Sequence, residues 1–131
     1  MPTIFTRIIN GELPARFVHR DERAVAFLSI APLRPGHTLV VPVEEIDHWI
    51  DASPELNAHL LGVAQRVATA QQALFSPAKV ALVIAGLEVP HLHLHVVPIR
   101  RESDLHFANA DPAPDPAELD DIAARLRAAL A

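Results

Sequence analysis

Three histidines, His91, His93 and His95, alternate with apolar residues within the segment Val89–Val97. Side chains at positions i, i+2 and i+4 of a strand point to one face. The three imidazoles therefore share a face, and the opposite face carries Leu92, Leu94 and Val96. Buried imidazole nitrogens need hydrogen-bond partners, so we expect the histidine face to line a groove and the apolar face to pack on a helix.

Two chemistries fit this histidine ladder. Two histidines at i and i+2 can share a zinc ion, but the outer pair, His91 and His95, lies about 13 Å apart at ~3.3 Å per residue. Additional ligands would then have to come from elsewhere. The alternative is phosphate chemistry, because a neutral imidazole attacks phosphorus and protonated imidazoles hold phosphate oxygens through charge-assisted bonds. In that arrangement His93 is a central nucleophile with a histidine on each side.

Composition narrows the possible functions. The 131 residues predict one domain, residues 1–131. With 11 basic and 16 acidic side chains the net charge is −5, and no basic cluster exceeds Arg100-Arg101, which argues against a nucleic acid partner. The longest apolar run, Val80–Leu87, is far short of the roughly 20 residues of a membrane span. The chain has no Cys, which excludes disulfides, thiolate catalysis and Cys-ligated zinc. Since Met1–Ile4 shows no signal-peptide pattern, a cytoplasmic location is expected.

The elements that must position the ladder read as strands, a helix, strands and a helix. Ser53-Pro54-Glu55 predicts a helix start and Ser76-Pro77 its end, and Asp115-Pro116 predicts the start of a carboxyl-terminal helix. The near-continuous apolar run of the fourth strand predicts a central position in the sheet. This order indicates an α+β fold with a largely antiparallel sheet. The predicted strands are Arg16–Arg20, Ala24–Leu28, His37–Pro42, Lys79–Ala85 and His91–Ile99.

The ladder resembles the signature of the histidine triad (HIT) family, His-φ-His-φ-His-φ-φ with φ apolar, which His91–Val97 matches at every position. Three other stretches are also similar to family segments: Ile4–Ala15, Ala26–Pro32 and Pro35–Pro42. The resemblance implies a HIT-like fold with a five-stranded sheet, one long central helix and a carboxyl-terminal helix. It places the core at about 4–99 and an extension at about 101–131. It also implies a homodimer that binds a small nucleotide, with no cofactor.

The resemblance also implies roles for individual residues. His93 would be the nucleophile that forms a covalent nucleotidyl-histidine, and His95 would contact the phosphate and assist the leaving group. His91 would orient His93 through its backbone carbonyl, and His37 would sit at the edge of the pocket. The remaining nucleotide-binding residues implied are Phe27, Ser29, Ile30, Leu39, Gly86, Glu88 and Val89.

The sequence departs from the family pattern at the nucleotide site and at the zinc ligands. The stretch Ile84–His91 is shorter than the usual Gly-rich phosphate loop, and Leu87 replaces its Gln. Glu88 stands where many members have Ser or Thr, and we expect it to point to solvent. Ser29 replaces an Asp that grips ribose. Thr6 stands at the first position of the Cys pair of zinc-binding members and Glu45 replaces a His, so no structural zinc or other metal is expected.

Three functions stay open at this point. The first is a nucleotide hydrolase or transferase, favoured by retention of all three histidines. The second is a HIT-fold nucleotide-binding protein whose catalysis has decayed, favoured by the altered loop. The third is a metal-binding protein that uses the ladder. Outside the ladder, His48 and His59 are expected to be ordinary surface residues, and Trp49 is expected to pack on the sheet or on a dimer partner.

Overall fold

The computed structural model describes residues 2–131. Three α-helices and five β-strands make up the regular structure, and short 3₁₀ turns lie at Trp49–Asp51, Glu102–Leu105 and Phe107–Asn109. The helices are α1 (Ile4–Ile9), α2 (Pro54–Phe75) and α3 (Pro116–Leu130), and the strands are β1 (Phe17–Arg20), β2 (Ala24–Leu28), β3 (Thr38–Pro42), β4 (Lys79–Ile84) and β5 (Leu94–Ile99).

The five strands form one sheet in the order β1-β2-β3-β5-β4, and every neighbouring pair is antiparallel. The predicted α+β architecture, with a five-stranded antiparallel sheet, a long helix and a carboxyl-terminal helix, is therefore confirmed. Within residues 2–131, no helix is long and apolar enough to cross a membrane.

The predicted central position of the fourth strand is wrong. β4 lies at the edge of the sheet and pairs only with β5, whereas β5 lies between β3 and β4. The apolar side chains of β4 are not all covered, since Leu82 is 44% and Ile84 is 38% exposed. An apolar run indicates that side chains avoid water, but it does not say whether strands lie on both sides.

Local chemistry sets the ends of α2. The Ser53 hydroxyl accepts a hydrogen bond from the Leu56 N–H, and Pro54 occupies the first helical position, where no backbone donor is needed. The helix ends at Ser76, which adopts the left-handed conformation (φ 45°) and donates its backbone N–H to Gln72.

Apolar residues cover both faces of the sheet. On one face α2 and α3 bury a large cluster that includes Leu60, Val67 and Leu126 against Val40 and Val96. Because α3 contributes to the same cluster as α2, the carboxyl-terminal helix is part of the main core and not an appended element.

On the opposite face, α1 packs on a smaller cluster through Phe5 and Ile9. The first 50 residues were expected to contain only strands and turns. A helix of six residues is too short to show a helical period, so α1 was not predicted. It closes the face on which the histidines lie, because Leu39 of this cluster pairs directly with His95. The other buried members of the smaller cluster are Val25, Phe27 and Val41.

Candidate functional site

His93 presents an unprotonated nitrogen. Its Nδ1 lies 2.7 Å from the backbone carbonyl oxygen of His91, and a carbonyl can only accept, so Nδ1 carries the proton and donates it. In the neutral ring the Nε2 atom then has a free lone pair, and no protein group within residues 2–131 bonds to it. His93 is only 7% exposed. This is the protonation state required of an imidazole nucleophile.

In contrast to His93, His95 presents a hydrogen-bond donor at its Nε2 atom. The backbone N–H of Leu33 donates to Nδ1 of His37 at 3.0 Å, so Nε2 of His37 carries the proton. That proton points to Nδ1 of His95 at 2.9 Å. Nδ1 of His95 is thereby an acceptor, and its Nε2 is a hydrogen-bond donor.

The imidazole rings of His93 and His95 lie side by side, with centroids 5.0 Å apart. One ring offers a lone pair and its neighbour offers an N–H. An electrophilic phosphorus next to the first ring would have its oxygens next to the second, so the pair provides a nucleophile and a stabilising donor together.

His91 does not line a groove, contrary to the prediction. It precedes β5, which begins at Leu94, and it is fully buried. Its Nε2 donates to the carbonyl of Pro42 at 2.8 Å, and its Nδ1 accepts from the Thr3 hydroxyl at 2.6 Å. Both ring nitrogens are thus satisfied inside the protein, and the backbone carbonyl of His91 orients His93.

Burial keeps the remaining imidazoles neutral. Desolvation, followed by the nearby His95 and His93, lowers the pKa of His37 to about 3. Desolvation and then His93 lower the pKa of His95 to about 4. Burial also lowers the pKa of His91. An unperturbed histidine would titrate near 6.5, so the lowered pKa favours the neutral form of His95 at neutral pH in the free protein.

A buried glutamine of α2 holds the two strands that carry His37 and His95. Gln71 Nε2 donates to the carbonyl of Gly36 at 2.8 Å and to the carbonyl of Val96 at 3.0 Å. These carbonyls belong to the residues next to His37 and His95. Sequence reasoning missed Gln71, although a polar residue on the buried face of an amphipathic helix is a signal that could have found it.

Gly86 lies against the imidazole of His93. It adopts φ +73°, and a Cβ atom there would lie 3.4 Å from Cε1 of His93. Of the loop that follows, Leu87 is 97% exposed, and Glu88 is exposed as expected. Gly86 therefore approaches the imidazole through its backbone, whereas Leu87 and Glu88 extend into solvent.

The other residues predicted to bind nucleotide fall into two groups. Phe27 and Leu39 are buried, and Val89 packs against them, in the apolar cluster beneath the imidazoles. Ile30 is 74% exposed, and the Ser29 hydroxyl accepts a hydrogen bond from the Ala31 N–H. The first group supports the histidines, and Ile30 is the member free to contact a ligand.

A cavity of about 210 Å³ opens beside His93 and Gly86. His48 and Trp49 also line it, and Trp49 is 45% exposed. Trp49 was expected to be packed and His48 to be an ordinary surface residue. His48 is exposed as expected, and Trp49 lies at the cavity rather than on the sheet. Both residues border the cavity beside His93, because the β3–α2 connection is tied to the ladder by a hydrogen bond from the Leu92 N–H to the Ile46 carbonyl at 2.6 Å.

The segment that follows β5 contacts the His93–His95 pair on the side of His95. The ring of Phe107 contacts His95 edge to face, with centroids 5.0 Å apart. Nearby, the Asp111 N–H donates to the carbonyl of Pro32 and joins this segment to the β2–β3 connection. The sequence had given no indication of where Phe107 lies.

The model of the HIT domain matches residues 10–102 of the chain. This chain belongs to the HIT family. An uncharacterized HIT-like protein of Methanocaldococcus jannaschii is 41% identical over 106 residues, which is 77% of this chain and 81% of the relative.

Solved HIT structures superpose on most of the chain. A zinc-bound histidine triad family protein from Mycobacterium smegmatis has a TM-score of 0.82 and 33% identity, covering 97% of this chain and 91% of its own. A hypothetical histidine triad nucleotide-binding protein from Sulfolobus tokodaii has a TM-score of 0.84 and 25% identity, covering 96% and 90%.

A zinc site, such as the zinc-bound mycobacterial protein contains, would need several His, Cys, Asp or Glu side chains that converge on one point. Among residues 2–131, no three His, Cys, Asp or Glu side chains converge to hold a metal ion. The nitrogens of His91 bond to Thr3 and Pro42, and Glu45 accepts from the Thr3 backbone N–H at 2.9 Å. Hydrogen bonds from Thr6 and Thr3 lower the pKa of Glu45. Because His91 and Glu45 are hydrogen-bonded to protein groups, and Thr6 carries no metal-binding thiol, these residues do not fit a zinc site.

Proposed function

We propose that this HIT protein binds a nucleoside monophosphate linked to a leaving group and hydrolyses or transfers it through a covalent nucleotidyl-histidine at His93. One observation carries the proposal. The rings of His93 and His95 have centroids 5.0 Å apart, and protein hydrogen bonds fix the tautomer of each neutral ring, so that Nε2 is an acceptor in His93 and a donor in His95. Nucleotide binding also agrees with the description of the relative from Sulfolobus tokodaii.

The chemistry divides into two displacements. His93 Nε2 attacks the α-phosphorus, the bond from phosphorus to the leaving group breaks, and the leaving group departs with its electron pair. The Nδ1–H of His93 stays on the carbonyl of His91 and stabilises the cationic ring of the intermediate. Water, or another acceptor in a transfer, then attacks phosphorus, the P–N bond breaks with its electron pair returning to Nε2 of His93, and the proton of the attacking group passes to solvent. His95 donates its Nε2–H to a phosphoryl oxygen in both steps.

Binding without turnover is the second candidate, and the loop after Gly86 favours it. Leu87 and Glu88 extend into solvent, so neither side chain supplies a donor to the phosphate. Each charge-assisted hydrogen bond contributes roughly 1–3 kcal/mol, so we expect weak binding of AMP, about 10–1000 μM.

We also propose a homodimer formed through the β4 edge. A sheet edge carries unpaired backbone donors and acceptors that favour pairing with another strand. Exposed apolar side chains accompany this edge: Leu82 and Ile84 on β4 and Leu61, 53% exposed, on α2. A shallow hollow of about 90 Å³ between α2 and β4 adds apolar surface.

The covalent intermediate is the decisive test. Wild-type protein is mixed with diadenosine triphosphate or adenosine 5′-phosphoramidate, quenched rapidly at high pH and examined by mass spectrometry for an adenylyl group on His93. His93→Ala is expected to lose the adduct and at least about 10³-fold in turnover while AMP affinity stays within a few fold. His106→Ala, an exposed histidine outside the cluster, is the control.

Each outcome selects among the candidates. AMP binding with no adduct and no turnover in the wild type would identify a binding protein. Near-normal turnover by His93→Ala would refute the nucleophile and favour metal chemistry on the ladder. No heat with AMP, GMP or CMP at millimolar concentration would refute the nucleotide site.

A further inference from the structure

Three arginines converge on a cleft outside the histidine pair. Arg34, Arg100 and Arg101 line a cavity of about 290 Å³ at the end of the sheet where β5 finishes. Elsewhere in the described residues, guanidinium groups such as that of Arg16 pair with carboxylates. Within residues 2–131, these three form no ion pair. In a chain of net charge −5, three arginine residues that line one cavity and form no ion pair are a local excess of positive charge.

The one carboxylate in the cleft does not neutralise it. Asp104 accepts the backbone N–H groups of Arg100 at 2.8 Å and Arg101 at 3.2 Å through the same oxygen. These bonds, with the charges of Arg34 and Arg101, lower its pKa. Asp104 therefore holds the backbone in place, and the cleft is lined by three arginines and one acidic residue. A guanidinium fork fits a phosphate or carboxylate through two parallel hydrogen bonds.

Protein contacts connect the cleft to the histidine pair. Leu33 lines the cleft, and its backbone N–H donates to His37. Asn109 also lines it, and it belongs to the same 3₁₀ turn as Phe107, whose ring contacts His95. The cavity borders His93, and the ring of His93 lies next to that of His95. His95 in turn contacts Phe107, whose 3₁₀ turn contributes Asn109 to the cleft. The cleft lies on the His95 side, away from the cavity that borders His93.

The hydrogen bonds of His95 place a condition on the leaving group. The Leu33 N–H fixes the tautomer of His37, and His37 donates to Nδ1 of His95. Protonating Nδ1 of His95 would bring two N–H groups together and break this chain. His95 is therefore a neutral donor and not a proton source, and its lowered pKa agrees. A departing amine needs a proton, whereas a phosphate oxygen departs with the electron pair of the broken P–O bond and needs none at neutral pH.

We infer that the Arg34–Arg100–Arg101 cleft binds a phosphate of the leaving group, so that the preferred substrate is a phosphoanhydride and not a phosphoramidate. This inference rests on the proposed function, because the leaving group exists only if His93 attacks a nucleotide. The guanidiniums supply the charge that stabilises the departing phosphate, and His95 supplies a hydrogen bond without losing its proton.

Equilibrium binding tests the cleft without turnover. AMP and α,β-methylene-ATP, which cannot be cleaved between its α- and β-phosphates, are titrated into the wild type without divalent cations. The analogue is expected to bind about tenfold tighter or more. Arg34→Gln and Arg101→Gln should each reduce that preference several-fold and leave AMP affinity within twofold. Arg23→Gln, at the opposite end of β2 in the β1–β2 turn, should change neither. Equal affinities for both ligands in the wild type, or a preference unaffected by the cleft variants, would overturn the inference.

Two further arms separate this inference from the proposed function. Tripolyphosphate has no nucleoside: if AMP does not bind but tripolyphosphate binds and requires Arg34 and Arg101, the cleft is an anion site and the nucleotide function fails. Inorganic phosphate that binds through these arginines while α,β-methylene-ATP is saturating would show that the nucleotide does not reach the cleft.

In turnover, kcat/KM for diadenosine triphosphate should fall about tenfold in the cleft variants, while that for adenosine 5′-phosphoramidate stays within twofold. An equal fall for both substrates would refute a role specific to the leaving group.

Discussion

His37 and His95 face each other across the end of the β3–β5 pairing, with Nε2 of the first 2.9 Å from Nδ1 of the second. The bond joins a residue just before β3 to a residue within β5. Since the Leu33 N–H occupies the other nitrogen of His37, one proton lies between the two rings and its donor is fixed. The Leu33 backbone amide therefore fixes the tautomer of His37, and through His37 it fixes which nitrogen of His95 can donate to a ligand.

Acid should destabilise the protein between pH 6.5 and about 4. In the unfolded chain histidines bind a proton near pH 6.5, whereas in the folded state the pKa is about 4 for His95 and about 3 for His37. The unfolded state thus binds more protons in this interval, so the free energy of unfolding is fully present above pH 6.5 and decreases as pH falls. Urea unfolding at a series of pH values measures this slope.

A pair of variants assigns the slope to the histidine pair. His37→Gln should make the free energy of unfolding less dependent on pH between 6.5 and 4, whereas His48→Gln, which replaces an exposed histidine, should leave the slope unchanged. Asp21 affects this free energy at lower pH only, because burial raises its pKa but hydrogen bonds from His19 and neighbouring groups lower it more, to well below the usual range of a carboxyl group. A slope that survives His37→Gln intact would contradict the assignment.

Gln71→Leu should destabilise the fold and impair catalysis together. The substitution keeps the volume but removes the Gln71 donor from the buried carbonyls of Val96 and Gly36, of which Gly36 keeps the Thr38 hydroxyl, and the lost hydrogen bonds cost about 1–3 kcal/mol. The Oε1 atom of Gln71 has no partner in the described residues, so the loss comes from the amide nitrogen. Gln72→Leu, at the exposed neighbouring position, is the control in urea unfolding.

Turnover distinguishes positioning from mere support. Since Gln71 holds the residues next to His37 and His95, we expect Gln71→Leu to lower kcat while the KM for diadenosine triphosphate changes less. A variant that loses stability but keeps full kcat at a temperature where it remains folded would show that Gln71 serves the core alone.

The sequence predicted those parts of the fold whose signals lie in consecutive residues. The ends of α2 follow from Ser53, Pro54 and Ser76, and the structure agrees to within a residue. The His-apolar alternation located the site because no ordinary packing requirement selects it. These signals are local: they decide where a helix begins and which segment carries the imidazoles, although β5 itself begins at Leu94, so that only His95 of the three lies within the strand.

The rest depended on contacts between distant residues. Thr3 bonds to His91 across 88 positions, and Gln71 reaches Gly36 across 35. A single Thr or Gln carries no pattern that names its partner. The alternation also placed His91 in a groove, although its nitrogens find partners in Thr3 and Pro42 and allow it to be buried. Tertiary hydrogen bonds therefore decided which of the three imidazoles faces a ligand.

Charge on the β4 edge should prevent dimerisation. Leu82→Lys or Ile84→Lys places a charge among apolar side chains that the proposed dimer would bury, and desolvating an unpaired charge is costly. Light scattering at micromolar concentration is expected to give twice the 14.3 kDa chain mass for the wild type and the single chain mass for these variants. Ile30→Lys, an exposed apolar residue in the β2–β3 connection, should remain dimeric. A monomeric wild type would refute the dimer.

Two glycine-to-alanine substitutions should have opposite effects. Gly86 has a left-handed backbone conformation (φ +73°), which costs an alanine about 1–2 kcal/mol. The new methyl group would also lie 3.4 Å from Cε1 of His93. Any shift of the ring turns the Nε2 lone pair away from phosphorus, so kcat should fall about tenfold or more. At Gly62, inside α2, a Cβ atom meets nothing within 4 Å, so Ala should stabilise the helix by about 0.5–1 kcal/mol and leave kcat unchanged. Urea unfolding and turnover of diadenosine triphosphate measure both effects. If Gly86→Ala loses stability but retains its kcat, then His93 does not depend on the close approach of this backbone, and the loop before the ladder is not part of the catalytic geometry.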